Sequence, residues 1–160
     1  MSSYKVKAGR FVGVISDTHG LVRPEALEAL QGSGLIIHAG DVGGPEVLEE
    51  LGRVAPVLAV RGNNDRGAWA DALAEYDAFE VNGAFVYVLH DLKELDLAPA
   101  AAGFRVVVSG HSHKPLVEER RGVLYLNPGS AGPRRFKLPV TVARLKLDGD
   151  DASAEIVHLL

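Results

Sequence analysis

The sequence predicts an α/β fold on three observations: short unbroken Val/Ile/Leu runs, strand–helix alternation through residue 60, and hairpins after it. Strands buried on both faces of a parallel sheet read as continuous apolar runs, which is how Phe11–Ile15, Leu35–Ile37 and Val57–Val60 read. Between them lie two helical segments, Pro24–Leu30 and Pro45–Leu51, each opened by a proline suited to a first helical turn, the second after Gly43-Gly44. The chain therefore starts as β-α-β-α-β. Glu75–Val81 and Ala84–Leu89 then flank Asn82-Gly83, a strong short hairpin signal. A short helix is expected over Leu92–Ala102, followed by a buried strand at Val106–Val108. Two more hairpins close the chain, Leu116–Glu119 with Val123–Leu126 around Arg121-Gly122, and Val140–Leu147 with Ala154–Leu159 around Asp148-Gly149. No internal repeat, low-complexity tract or linker interrupts this order.

Composition bounds the classes. A chain of 160 residues with 47% apolar content fits one domain, residues 1–160, with a packed core. Mean hydropathy is +0.08, and no apolar stretch approaches the ~18 residues of a membrane helix, so a soluble protein is expected. Lys5, Lys7 and Arg10 precede only the short run Phe11–Ile15, too little for the core of a signal peptide. With no cysteine, a cytoplasmic address is the expectation. The net charge of −4 argues against a broad electrostatic grip on nucleic acid. The basic cluster Arg134, Arg135 and Lys137 reads either as a solvated loop or as phosphate steering by Arg forks.

The chemistry is carried by the residues just past the strand ends. Phe11–Ile15 delivers Asp17 and His19, Leu35–Ile37 delivers Asp41, and Val57–Val60 delivers Asn63. Phe85–Leu89 delivers His90, and Val106–Val108 delivers His111 and His113. In open α/β sheets ligands collect beyond the carboxyl ends of parallel strands, so five strands aim polar groups at one rim. Imidazole nitrogen with carboxylate and amide oxygen suits Mn, Fe, Ni or Zn; an all-oxygen set would suit Mg or Ca, and thiolates are absent. Residues i and i+2 of an extended segment point the same way, which would let Asp17 and His19 share one ion and set His111 beside His113. Asp41, between the other donors, is the candidate bridge, with Asn63 supplying a neutral oxygen. One Asp-x-His or His-x-His pair means little, since surface turns produce them by chance; the ordered set, each member at a strand end, is what points to a two-metal hydrolase.

Taken in order, Ser-Asp-Thr-His-Gly, His-Ala-Gly-Asp-Val, Arg-Gly-Asn-Asn-Asp, a lone His and Gly-His-Ser-His resemble the calcineurin-like metallophosphoesterase superfamily. The short, cap-free chain is similar to its small prokaryotic phosphodiesterase branch, as is the trailing Asn127-Pro128-Gly129-Ser130. The resemblance spans Phe11 to Pro133. It implies two packed mixed β-sheets flanked by helices, a four-layer sandwich. It also implies two divalent ions, Mn favoured and Ni, Fe or Zn allowed, one held by Asp17, His19, Asp41 and His113 and the other by Asp41, Asn63, His90 and His111. Two positions depart from the pattern: Asn64 stands where this branch usually has Cys and monoesterase relatives a proton-donating His, and Asp91 stands where Gly usually follows the lone His.

The expected function is therefore phosphodiester hydrolysis by in-line attack of a metal-bridging hydroxide, with Asp41, Asn63 and His90 at the chemistry and Asn64, Asn127 and Arg134 as candidate substrate contacts. A small phosphate ester is the expected partner, with no membrane or nucleic acid, and a homo-oligomer is left open. Two rivals are a metal-binding scaffold of the same fold and a small nuclease, the latter opposed by the acidic balance. Arg61, His38 and Asp65 read as supporting or packing groups, and His158 as an ordinary terminal residue. Trp69 and Phe136 read either as lining the mouth or as core.

Overall fold

In the computed structural model, which describes residues 1–160, eleven strands and three short helices alternate as the apolar pattern requires. The first half runs β1 (Ser2–Tyr4), β2 (Phe11–Ile15), α1 (Pro24–Ala29), β3 (Ser33–His38), α2 (Pro45–Gly52), β4 (Val57–Ala59) and α3 (Ala68–Asp71). The second runs β5 (Tyr76–Val81), β6 (Ala84–Leu89), β7 (Val106–Val108), β8 (Leu116–Arg120), β9 (Val123–Asn127), β10 (Thr141–Asp148) and β11 (Asp151–His158).

Two mixed sheets result. One has the order β11-β10-β2-β3-β4, parallel through β2, β3 and β4; the other has the order β1-β5-β6-β7-β9-β8, parallel through β6, β7 and β9. Side chains alternate across each strand, so Val12, Val14, Leu35 and Ile37 pack against Phe79, Val86, Val88, Val106, Val108 and Leu126 of the facing sheet. Each such side chain removed from water contributes about 1.5–3 kcal/mol. Ile15 and Ile36 point the other way and meet Leu30, Val47 and Leu51 of the α1 and α2 segments.

The outer face of the six-stranded sheet is covered differently. The helix expected over Leu92–Ala102 is not formed; a single 3₁₀ turn, Leu92–Glu94, is followed by irregular chain and a turn closed by Phe104 N–H donating to the Pro99 carbonyl at 2.9 Å. Pro99 lacks an N–H and disfavours helix at Ala98, while Leu92, Leu95 and Leu97 all pack with Tyr87, Leu89 and Val107, and the i, i+2 step from Leu95 to Leu97 does not keep to one helical face. The strand β1 had no apolar run to announce it; it pairs parallel with β5, Ser2 opposite Phe79. The last hairpin is longer than expected, β11 beginning at Asp151. No helix is long and apolar enough to cross a membrane.

This topology sorts the loops. The three hairpin turns, at Asn82-Gly83, Arg121-Gly122 and Gly149-Asp150, lie at one rim, and the carboxyl ends of β2, β3, β4, β6 and β7 lie at the other.

Candidate metal centre

The loops at the carboxyl rim continue the sheet ladder past the strands. Asp17 N–H donates to Gly40 O at 3.0 Å, His19 N–H to Asp41 O at 3.0 Å and Gly20 N–H to Val42 O at 2.8 Å. In the six-stranded sheet, Gly110 N–H likewise donates to His90 O at 2.9 Å, past the paired ends of β6 and β7. This pairing holds the chain in a conformation L-residues avoid: φ is +56° at Asp17, +47° at His19, +55° at Asp41, +68° at His111 and +63° at His113. Each such residue costs roughly 1–2 kcal/mol, so the surrounding hydrogen bonds must impose it. Asp17 and His19 therefore converge through left-handed backbone and not through the extended segment expected of them.

Several side chains do the imposing. Ser16 Oγ donates to Asp17 Oδ2 at 2.6 Å and His111 N–H donates to the same oxygen at 3.1 Å. Asp65 accepts from the backbone of Val42, Gly43 and Gly62 at 3.2, 3.0 and 2.9 Å, tying the β3 and β4 loops together. His38, fully buried, accepts from Gly40 N–H at Nδ1, so its proton sits on Nε2 and is donated to Thr18 Oγ1 at 3.0 Å, while Thr18 donates to Val42 O at 2.7 Å. Burial and the nearby His90 push the His38 imidazole down to about 3, which keeps it neutral for that role. A Cβ on Gly62 would run into Asp41 N and Oδ1.

At the centre, donor atoms face one another without partners. Asp17 Oδ1, His19 Nε2 and His90 Nε2 are buried and make no hydrogen bond. The oxygen of Asp17 lies 4.0 Å from His19 Nε2, 3.8 Å from His90 Nε2 and 3.3 Å from His113 Nε2. Asp41 Oδ2 lies 3.3 Å from His90 Nε2 and 3.7 Å from His19 Nε2. His90 Nδ1 donates to Ala39 O at 2.7 Å, an arrangement typical of ligating histidine, so its bare Nε2 is aimed at carboxylate oxygen. Imidazole nitrogen facing carboxylate oxygen at these distances is a donor set that a cation between them would satisfy. Two groups have ligand atoms all within 4.8 Å of one another: Asp17, His19 and His113, and Asp17, Asp41 and His90.

The electrostatics agree. Burial opposes charge on Asp41, yet the His90 contact and the Asn64 amide outweigh it and hold the carboxyl at about 2. Burial likewise opposes charge on His90, and Asp41 and Asp17 overcome it to raise the imidazole. His113 is lowered, chiefly by burial with Arg135 and His19 adding to it against the pull of Asp17. Such a mixed N/O donor set fits a divalent ion of the Mn-to-Zn series.

A family model described as the calcineurin-like phosphoesterase superfamily domain matches residues 11–150. The chain belongs to that superfamily. A probable metallophosphoesterase of Methanothermobacter thermautotrophicus is 38% identical over 158 residues, covering 92% of this chain and 91% of its own. A phosphodiesterase of Methanocaldococcus jannaschii is 27% identical over 136 residues, 74% of this chain and 82% of its own. Among solved structures, the vacuolar sorting protein Vps29 from Entamoeba histolytica in complex with zinc shares the fold, with TM-score 0.71, 21% identity and coverage of 94% of this chain and 99% of that one.

Within this phosphoesterase domain the expected residues occupy distinct places. The four imidazoles form two pairs, His19 with His113 at 5.8 Å between ring centroids and His90 with His111 at 5.2 Å. His111 and His113 are thus not side by side; the left-handed turns send them to opposite flanks. Asn63 lines a cavity of about 250 Å³ with His90 and His111, and Arg134 one of about 450 Å³ with His19 and His113. Asn64 and Asn127 are engaged inward. Asn64 donates to Asp41 from its backbone at 2.9 Å and from its side chain at 3.2 Å. Asn127 donates to Gly110 O at 3.0 Å and Ser112 Oγ at 3.1 Å and accepts from Gly129 N–H, so it shapes the His111–His113 loop. Asp91 caps the 3₁₀ turn, its other oxygen 3.8 Å from His111 Nε2. Arg61 pairs with Glu75, and Trp69 packs beside the helices. The bracing by Ser16, Thr18 and Ser130, whose Oγ donates to Asp17 O at 3.1 Å, has no signal in the sequence beyond the adjacency of these residues to ligand positions.

Proposed function

We propose that this chain is a two-metal phosphodiesterase, and the observation carrying the reading is the trio of buried, unpartnered atoms Asp17 Oδ1, His19 Nε2 and His90 Nε2 facing one another at the carboxyl rim. One ion would be held by Asp17, His19, Asp41 and His113 and the other by Asp41, Asn63, His90 and His111, a division the two imidazole pairs favour. Asp41 Oδ2 lies within 3.7 Å of one histidine from each set, which suits a shared carboxylate. Manganese is the favoured metal, with Ni, Fe or Zn compatible with the same donors. When bound, such a pair polarises a phosphoryl group and supplies hydroxide at neutral pH.

The chain's own residues set the substrate class. Asn64 has no titrating proton, and its amide is already spent orienting Asp41. A basic leaving oxygen would go unassisted there, which disfavours alkyl monoesters and suits diesters with good leaving groups. The phosphodiesterase named in Methanocaldococcus jannaschii supports the same choice. Assay of the metal-loaded protein against mono-, di- and cyclic phosphate esters tests it. Hydrolysis of activated diesters ahead of alkyl monoesters is expected. Two bound metals with no ester hydrolysed would favour a non-catalytic scaffold, a reading kept open because the fold is shared with a zinc-bound sorting protein.

A further inference from the structure

Two mouths open on the centre, and they differ in charge. The one beyond His90 and His111 is lined by Glu75, Asp91 and Glu94 with a single cation, Arg61, which Glu75 already holds at 3.0 Å. The mouth beyond His19 and His113 is lined by Arg134, Arg135 and Phe136, with no carboxylate among its lining residues. An anionic substrate arm is repelled by the first and drawn to the second.

Phe136 is the anomaly of the second mouth. Its side chain is 92% exposed, and its backbone sits at φ +53°. Left-handed backbone is uncommon for a bulky residue, and Phe136 takes it as the second residue of the hydrogen-bonded turn Arg135–Leu138, which leaves the ring unburied. The loop carrying it is anchored to the metal-site backbone at its base. Gly132 N–H donates to Ser130 Oγ at 3.2 Å, Arg23 holds Gly132 O at 3.2 Å, and Leu138 N–H closes a turn onto Arg135 O at 3.1 Å. A ring costly to expose is thus carried by an anchored loop beside the His19–His113 flank.

We infer that Phe136 is a stacking platform for a planar aromatic arm of a nucleotide-type phosphodiester, with Arg134 and Arg135 meeting the phosphate oxygens on that side. The inference rests on the phosphodiesterase reading for the reaction but not for binding. Nucleobases stack on aromatic side chains strongly enough to change affinity several-fold to more than a hundredfold, and Arg forks match phosphate oxygens.

The test is therefore a binding measurement. Calorimetry of the manganese-loaded protein with adenosine 5′-monophosphate and with ribose 5-phosphate compares ligands that differ only in the base. The base should tighten binding about tenfold in the unaltered protein, the ratio should fall to near one in Phe136→Ala, and Phe136→Tyr should restore it. Arg134→Ala with Arg135→Ala should weaken both ligands in parallel; unchanged affinities would overturn the part given to the arginines. Equal or undetectable affinities for the two ligands in the unaltered protein overturn the platform. So does a Phe136→Ala protein that keeps the ratio, including one that changes only its oligomeric state by light scattering. A protein that hydrolyses no diester yet prefers the base-bearing ligand through Phe136 would keep the platform and lose the phosphodiesterase reading.

Discussion

The two rims of the sandwich both use left-handed backbone, and for opposite reasons. At the hairpin rim, Asn82 at φ +51° and Arg121 at φ +51° are each followed by glycine in the turn type that two-residue hairpins favour. Local turn geometry wants those angles. At the carboxyl rim, Asp17, His19, Asp41, His111 and His113 adopt the same region outside any hairpin, and inter-loop hydrogen bonds hold them there. At one rim the turn's polar groups are matched, as where Asn82 bonds Val6 and Leu147, and Ser33 Oγ at the amino end of β3 is the lone buried side-chain atom left over. The other retains buried nitrogen and oxygen without partners. Strain together with unmet polar atoms, and not strain alone, marks the functional rim.

The contrast between the rims breaks most severely if the carboxyl rim needs no cation. Asp41→Ala should remove both ions, seen as a metal content near zero per chain, and lower kcat/KM by about 10³-fold or more, since a metal supplies several kcal/mol of charge stabilisation. Asp17 belongs to both groups of converging ligand atoms, so the two carboxylates compete for the shared role. Metal analysis of Asp17→Ala beside Asp41→Ala separates them: the variant that retains one ion does not carry the bridge. Chelation of the unaltered protein should abolish activity while circular dichroism stays unchanged, because the 19-residue core between the sheets packs without the rim. Global unfolding on chelation would make the metal structural and defeat the catalytic reading.

Glycines sharpen the contrast next. A Cβ on Gly62 would collide with Asp41 N and Oδ1, whereas one on Gly122, at φ +78°, would meet nothing. Gly62→Ala should cost about 2–3 kcal/mol by overpacking and displace a ligand, so that activity falls with stability. Gly122→Ala should cost roughly 1 kcal/mol, the left-handed penalty alone, with activity intact. Paired melting curves and rates decide it; equal losses at both sites would mean the metal rim is no more tightly built than a turn.

How much of the molecule is legible in its sequence depends on range. Apolar runs identify β2, β3, β6 and β7 because burial on both faces is written in consecutive residues, and the polar residue after each run then lies at the rim by topology. The roles of Asn64 and Asn127 are not legible, because an amide's partners are chosen by loops that meet only in three dimensions. The parting of His111 from His113 follows from left-handed φ at both, which a Gly-His-Ser-His string does not announce. Local signals also mislead at Leu92–Ala102, where the apolar residues serve the sheet face and Pro99 interrupts the expected helix after Ala98.

Asn64 offers a smaller and two-signed effect. Replacing it with His supplies a titrating group, and general-acid help is worth ~10²- to 10⁴-fold where the leaving oxygen is basic. The same change removes the side-chain hydrogen bond at 3.2 Å that orients Asp41, though the backbone bond at 2.9 Å remains. Asn64→His should therefore raise kcat/KM for alkyl monoesters only at saturating metal, with weaker metal affinity. Unaltered protein that already prefers alkyl monoesters to activated diesters would show that another group donates the proton.

The smallest effect tests the difference between the rims most directly. His111 is half-exposed, and its side chain meets only the edge of His90 and, at 3.8 Å, an oxygen of Asp91, so its burial contributes little. Glycine there would release a left-handed penalty of roughly 1–2 kcal/mol and forfeit about 0.5–1 kcal/mol through its freer unfolded chain. The bond from the position 111 N–H to Asp17 Oδ2 survives, since it is backbone. Metal-free His111→Gly should thus melt about 1–3 °C higher than the parent while binding metal less tightly. Arg121→Gly releases the same penalty in a hairpin turn and should raise the melting temperature similarly, with metal affinity untouched. If His111→Gly lowers the metal-free melting temperature, the rim's left-handed residues are not strained relative to glycine, and the contrast between the two rims rests on the unpartnered donor atoms alone.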